Sequence, residues 1–125
     1  MNLIEKMSDS EWVVMKTLWD NEGIMLNDMV ELLREEKGWN KNTIHTFLTR
    51  LEKKELVRID KSSIPHKFFS HVTKHESVRE ETKSFMNKVY DGSVKLLLSN
   101  FVKDRSLSKE DIDELKKILE EGGDR

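Results

Sequence analysis

Apolar residues first recur at helical spacing near the start of the chain: Trp12, Met15, Leu18 and Trp19 stand at i, i+3, i+6 and i+7, which puts them on one face of a helix. Ser8 and Glu11 precede them at capping-box spacing. The hydroxyl takes a backbone N–H and the carboxylate returns to the cap, so the helix is predicted to begin at Ser8. Gly23 ends it. Two tryptophans on such a face belong to a core rather than to a ligand platform. A second helix is predicted from Asn27 to Lys37, with Met29, Val30, Leu32 and Leu33 on its apolar face and Gly38 as its stop. Between the two, Ile24-Met25-Leu26 is too short for a helix and fits a minor strand.

A third helix is predicted from a cap at Asn40 to about Lys54, with Ile44, Phe47, Leu48 and Leu51 as its buried stripe. Its other face is polar throughout: Lys41, Asn42, His45, Thr46, Thr49 and Lys53, flanked by Thr43 and Arg50, with no carboxylate before Glu52. Short hydroxyls, an amide and cations of this kind reach base edges and phosphates in a major groove. Leu56 to Lys61 and His66 to Val72 then form two β-rich runs around Ser62-Ser63-Ile64-Pro65, the pattern of a hairpin. Helix, helix, helix, hairpin is the order of a winged helix-turn-helix, which sets Lys61, Ser62, Ser63 and Lys67 at or near the wing tip.

The last third reads as three helices. Residues 76–90 carry Val78, Thr82, Phe85, Met86 and Val89 along one side, and Gly92 breaks the pattern. Val94, Leu96, Leu97, Leu98, Phe101 and Val102 follow, and a final helix capped by Ser108 with Asp111 carries Ile112, Leu115, Ile118 and Leu119. Three short helices can hardly bury so many apolar groups among themselves, and leaving them in water costs roughly 25 cal/mol per Å². A homodimer interlocking these helices about a two-fold axis is the economical expectation. Its interface is expected to hold Phe85, Val89, Val94, Leu97, Leu98, Phe101, Val102, Ile112, Leu115, Ile118 and Leu119. The fold expected overall is mainly α with a small β-hairpin wing (α+β): a winged-helix DNA-binding domain over 1–73 and a three-helix dimerisation domain over 74–125.

Composition narrows the function. The chain has 125 residues, of which 37% are charged and 36% hydrophobic. A chain of this size closes only a modest core, and a large enzyme with an enclosed pocket is not expected. There is no cysteine, which excludes a disulfide scaffold, a thiolate metal site and a thiol nucleophile. No apolar run approaches the roughly 18 residues of a membrane span, and the first ten residues lack the basic and apolar segments of a signal peptide. A cytoplasmic location is expected. The net charge of -2 conceals an asymmetry: residues 1–36 are net -6, residues 37–75 net +6 and residues 76–125 net -2. The +6 segment also holds all four histidines, His45, His66, His71 and His75, and is the kind of local field that a phosphate backbone selects. A dimer of helix-turn-helix units in turn predicts a palindromic site.

The residues resemble a known family, the penicillinase and methicillin-resistance repressors of Gram-positive bacteria (the BlaI/MecI family), over roughly Met7 to Glu120. The likeness is carried by Ser8-x-x-Glu11-Trp12-x-Val14-Met15 with Leu18-Trp19, and by Trp39-x-x-x-Thr43-Ile44-x-Thr46-x-Leu48-Thr49-Arg50-Leu51-x-Lys53-Lys54. Asn87-Lys88-Val89-Tyr90-x-Gly92, Asn100-Phe101-Val102 and Leu107-Ser108-x-x-Asp111-Ile112-x-Glu114-Leu115 complete it. The resemblance implies a homodimeric transcriptional repressor on a palindromic operator with TACA/TGTA half-sites. It also implies inactivation by proteolysis when a membrane sensor metalloprotease detects a β-lactam, with Asn100-Phe101 at the matching cleavage point. No cofactor is implied.

The chain departs from that pattern in places. Asn42 and His45 stand where relatives carry Lys and Arg, and Glu55 stands where the family usually has Gly after the third helix, at a cost of about 1 kcal/mol if the left-handed conformation is kept. Phe68 and Phe69 replace tyrosines, so a phenol contact to phosphate does not carry over. The absence of cysteine excludes the sensing mechanism of copper-responsive relatives. Three other functions compete: a zinc enzyme built on His66, His71, His75 and Glu76, whose spacing crosses a strand-to-helix junction; a winged-helix regulator released from DNA by a small molecule; and a winged-helix module serving only protein assembly.

Overall fold

A computed structural model describes residues 4–122. The elements run α1 (Asp9–Asp20), β1 (Ile24–Met25), α2 (Leu26–Lys37), α3 (Lys41–Lys53), β2 (Val57–Asp60), β3 (Lys67–Ser70), α4 (Lys74–Tyr90), α5 (Val94–Lys103) and α6 (Lys109–Gly122). The chain divides into two compact units, Met1–Glu81 and Thr82–Arg125, with the boundary inside α4. Among the described residues no helix is long and apolar enough to cross a membrane.

The first unit is built from its caps inward. Ser8 caps α1 reciprocally: its Oγ accepts the Glu11 N–H at 3.2 Å, and its own N–H donates to Glu11 Oε1 at 2.8 Å. The α2 helix starts at Leu26, one residue earlier than the pattern predicted, and its N-cap Met25 contributes no side-chain hydrogen bond. It stops at Gly38, whose φ of 64° lets its N–H reach the carbonyl of Arg34 at 2.9 Å. Asn40 caps α3 by accepting the Thr43 N–H at 2.9 Å. The minor strand pairs with β3, not with a neighbour in sequence, giving a three-stranded antiparallel sheet of order β1-β3-β2 in which Phe68 faces both Ile24 and Ile59 across the ladder.

The core lies among these pieces. Val14, Met15 and Leu18 of α1 meet Met29 and Leu33 of α2 and Ile44, Leu48 and Leu51 of α3, closed by Leu56, Val57 and Phe68. Each fully buried side chain of this size contributes about 1.5–3 kcal/mol. Trp12 and Trp19 pack edge to face against one another at 5.9 Å on the border of this cluster, and the Trp19 indole N–H donates to the Val72 carbonyl at 3.0 Å. The tryptophans are thus structural, as their face predicted. Leu32 is not: placed on the apolar face of α2 by spacing, it is 55% exposed, because only Met29 and Leu33 of that helix point fully inward.

In the second unit, Ser93 Oγ caps α5 through the Leu96 N–H at 3.1 Å, and Ser108 and Asp111 form a reciprocal capping box on α6. Neither helix has a buried residue. On α4 the side predicted to be apolar divides: Met86 is buried, whereas Val78, Phe85 and Val89 are exposed.

Candidate nucleic-acid interface

The buried stripe Ile44, Leu48 and Leu51 anchors α3 on the core and turns its opposite side outward. Lys41, Asn42, His45, Thr46, Arg50 and Lys53 are exposed there, and Thr43 and Thr49 are half-buried at its edges. The Thr46 and Thr49 hydroxyls donate to the carbonyls of Asn42 and His45, each at 2.9 Å. That fixes their protons on the helix and leaves their oxygens free to accept, beside the amide of Asn42 and the cations of Lys41, Arg50 and Lys53. With no acidic residue in its first turn and Arg50 and Lys53 in its last, the outward face carries one sign of charge as far as Leu51, ahead of Glu52.

The wing is the β2–β3 hairpin. Asp60 Oδ1 accepts the Ser62 hydroxyl at 2.6 Å and the Ser62 N–H at 2.9 Å. Those bonds, the hydroxyl's first, hold the Asp60 carboxyl below the usual carboxylate range. The turn is therefore internally braced, and Ser62 reaches solvent with its hydroxyl proton already engaged. Ser63 and Lys67 are exposed. Lys61 differs from the other cations expected at the tip, because its Nζ lies 3.9 Å from Glu52 Oε2 at the end of α3. Two further features were not read from the pattern. The Arg58 guanidinium stacks over the Phe69 ring at 4.4 Å, adding a cation to the exposed side of β2. His66 meets Lys41 and His45 along one cleft of about 450 Å³ between the start of α2, the start of α3 and the wing. Neither follows from spacing, since each joins segments distant in sequence. Phe68 is in the core and Phe69 half-buried, so the residues that replace tyrosines serve packing.

His66, His71, His75 and Glu76 do not converge: among the described residues no three His, Cys, Asp or Glu side chains group as a metal site. In the second unit, Asn100 and Phe101 lie within α5, with Asn100 Nδ2 donating to Tyr90 Oη at 3.2 Å and Phe101 exposed. Val94, Leu98, Val102 and Leu119 line one apolar hollow of about 580 Å³. Of the other residues expected at a dimer interface, Phe85, Val89 and Ile118 are exposed, and Leu97, Ile112 and Leu115 are half-buried.

The penicillinase repressor family matches residues 7–121. The methicillin resistance regulatory protein MecI of Staphylococcus aureus (strain N315) is 34% identical over 118 residues, 94% of this chain and 96% of that one. The penicillinase repressor of Bacillus licheniformis is 32% identical over 125 residues, 100% of this chain and 98% of that one. Among solved structures, the DNA-binding domain of the repressor BlaI superposes with a TM-score of 0.52 at 30% identity, covering 59% of this chain and 90% of that one. The monomeric form of Bacillus licheniformis BlaI in complex with the blaP half-operator gives a TM-score of 0.53 at 29% identity, over 61% of this chain and 93% of that one. The three-helix core with its hairpin is a winged helix, and with a match that runs from Met7 to the last turn of α6 the chain belongs to the penicillinase repressor family.

Proposed function

We propose that this chain is a cytoplasmic, homodimeric transcriptional repressor of antibiotic-resistance genes, of the β-lactamase or a related kind. It covers a palindromic operator with two winged-helix units and is inactivated by cleavage in its dimerisation domain. The observation that carries this reading is the outward face of α3, free of carboxylates from Lys41 to Leu51 and set beside a hairpin that supplies further cations. Such a face offers donors to phosphate oxygens and base edges while the buried stripe fixes its orientation. Residues 1–73 are assigned to DNA binding and 74–125 to dimerisation, with the exposed apolar side chains of α4, α5 and α6 covered by the second copy.

A membrane sensor metalloprotease is the partner assigned to induction, with the Asn100–Phe101 bond as its target. Cutting there separates α6 from the rest of the chain. A two-headed binder owes much of its affinity to the effective concentration that the link confers on its second head. Severing the link therefore releases DNA without touching the recognition helix.

Binding to a duplex carrying an inverted repeat of the TACA/TGTA half-site, followed as a function of salt, tests the first half of this reading. A steep negative slope of log affinity against log salt is expected, and a flat slope or an absence of binding would sink it. Incubating the wild type and Phe101→Ala with the cognate sensor protease tests the second half, where equal cleavage of both chains would remove that bond from the mechanism.

A further inference from the structure

The wing carries one side chain whose placement its charge chemistry does not explain. Ile64 is 92% exposed, the most exposed large hydrophobic among the described residues, and it is followed by Pro65 at the turn of the hairpin. A single exposed isoleucine on a surface needs no account, but this one continues a surface. Ile64 and Pro65 line a cleft together with Met25, Leu26 and Phe68 and with Lys41, His45 and His66. Ile64, Pro65 and Phe68 make part of its wing side apolar, beside His66, and Lys41 puts a cation on its α3 side. The turn that leads to Ile64 and Pro65 is braced where Asp60 accepts from Ser62.

We infer that the occupant of this cleft is the sugar-phosphate strand at the edge of the half-site, with Ile64 and Pro65 as an apolar wedge in the adjoining minor groove. The inference rests on the DNA-binding reading above and adds to it a residue that reads groove shape. The two walls match the two chemistries of a nucleic-acid strand: the ammonium of Lys41 faces phosphate, and the Ile64 and Pro65 carbons face the C–H surface of the deoxyriboses. Apolar side chains, isoleucine and proline among them, are the groups that enter a minor groove, and they favour A·T pairs because guanine's 2-amino group obstructs the groove floor. Asp28 also lines the cleft, at the start of α2, and its charge disfavours a phosphate on that side. The strand is thereby set against Lys41.

The full chain is titrated with duplexes carrying the inverted TACA/TGTA repeat, flanked by A·T pairs in one and by G·C pairs in the other. Ile64→Ser is expected to bind the A·T-flanked duplex about tenfold more weakly than the wild type, with an unchanged salt slope because no ion contact is lost. Ile64→Leu is expected to restore most of the affinity. The wild type is expected to prefer A·T flanks, and Ile64→Ser to lose that preference. Binding of Ile64→Ser within twofold of the wild type, or an equal flank preference in both, overturns the wedge. Lys41→Ala separates the two readings. A weaker affinity with a shallower slope keeps the DNA-binding face intact whatever Ile64 does, so a failure of Ile64 alone falls on the wedge. At 92% exposure, Ile64→Ser is expected to leave the thermal unfolding of the free protein unchanged, and that measurement separates an affinity loss from misfolding.

Discussion

Lys54, the residue that ends α3, places its ammonium 2.7 Å from Oε1 of Glu11 in the first turn of α1. The same oxygen accepts the Ser8 N–H at 2.8 Å, and Lys54 also donates to the Lys6 carbonyl at 2.9 Å. The start of α1 and the end of α3 are therefore clasped by one carboxylate that is 2% exposed. Removing the cation strands that carboxylate, whose second oxygen is buried with no partner. Lys54→Ala is expected to lower stability by about 2 kcal/mol, at the modest end for a broken buried pair because Lys54 itself keeps some solvent contact. Chemical denaturation at neutral pH checks this, and a loss below about 0.5 kcal/mol would show the clasp to be incidental.

The same contact gives a pH dependence. Burial works against ionisation of Glu11, but the hydrogen bond and charge of Lys54 and the bonds from Ser8 outweigh it, so the carboxyl titrates below the ordinary glutamate range. A folded-state value lower than the unfolded one means stability that is fully present above the unfolded value and lost as the pH falls through the folded one. Denaturation midpoints are thus expected to fall from about pH 5 downward. In Lys54→Ala, where burial is opposed only by Ser8, the Glu11 share of this acid dependence is expected to shrink. Parallel acid limbs in the two proteins would contradict the assignment.

Glu55 follows α3 with φ at 63°, the left-handed region in which a side chain is strained and glycine is not. The turn needs this geometry: it brings the Leu56 N–H to the Leu51 carbonyl at 2.9 Å and starts β2 with Val57 buried. The carboxylate makes no ion pair within 4.0 Å among the described residues. Glu55→Gly is therefore expected to stabilise the protein by about 1 kcal/mol, seen as a higher thermal midpoint. A lower midpoint would mean that the unfolded chain's gain in freedom outweighs the relief of strain.

The helices were legible because their signals are local. Ser8 with Glu11, Asn40, and Ser108 with Asp111 mark starts that the structure keeps, and the stripe of Ile44, Leu48 and Leu51 both buries α3 and defines its outer face. What escaped was set by pairs far apart in sequence. Glu11 read as a capping residue alone, since its partner Lys54 is 43 positions away. Leu32 satisfied the period of α2 but met no neighbour to cover it. The minor strand at Ile24 and Met25 was legible, but not its pairing with β3, which returns beside it from far along the chain. The cleft holding Lys41, His45 and His66 is drawn from three segments, so the +6 charge of residues 37–75 located the face without showing its shape.

Lys61 and Glu52 give a prediction of opposite sign to ordinary alanine scanning. With Glu52 Oε2 at 3.9 Å, part of the wing cation's field is cancelled before DNA arrives. Glu52→Gln keeps the shape and removes the competing charge, so operator affinity is expected to rise about threefold, with a slightly steeper salt slope. Lys61→Ala should lose less affinity than Lys41→Ala, which has no ion-pair partner within 4.0 Å among the described residues. Competition binding at two salt concentrations measures both, and a weaker Glu52→Gln complex would show that Glu52 orients Lys61 rather than restrains it.

Val102 tests the assembly without threatening the fold of a single chain. It is exposed on α5 and lines the hollow shared with Val94, Leu98 and Leu119, so a polar replacement costs an isolated chain little. Across a two-fold interface the same change buries two carboxylates, one from each copy, without partners. Val102→Asp is therefore expected to sediment as a monomer at micromolar concentration, and the wild type, on the function proposed above, as a dimer. Its affinity for a single half-site should be unchanged, because α3 and the wing belong to the other compact unit. Its affinity for the full palindrome is expected to drop by about two orders of magnitude, the contribution of linking two heads. A monomeric variant that still holds the palindrome as tightly as the wild type would show that the heads cooperate on DNA through some contact other than α5.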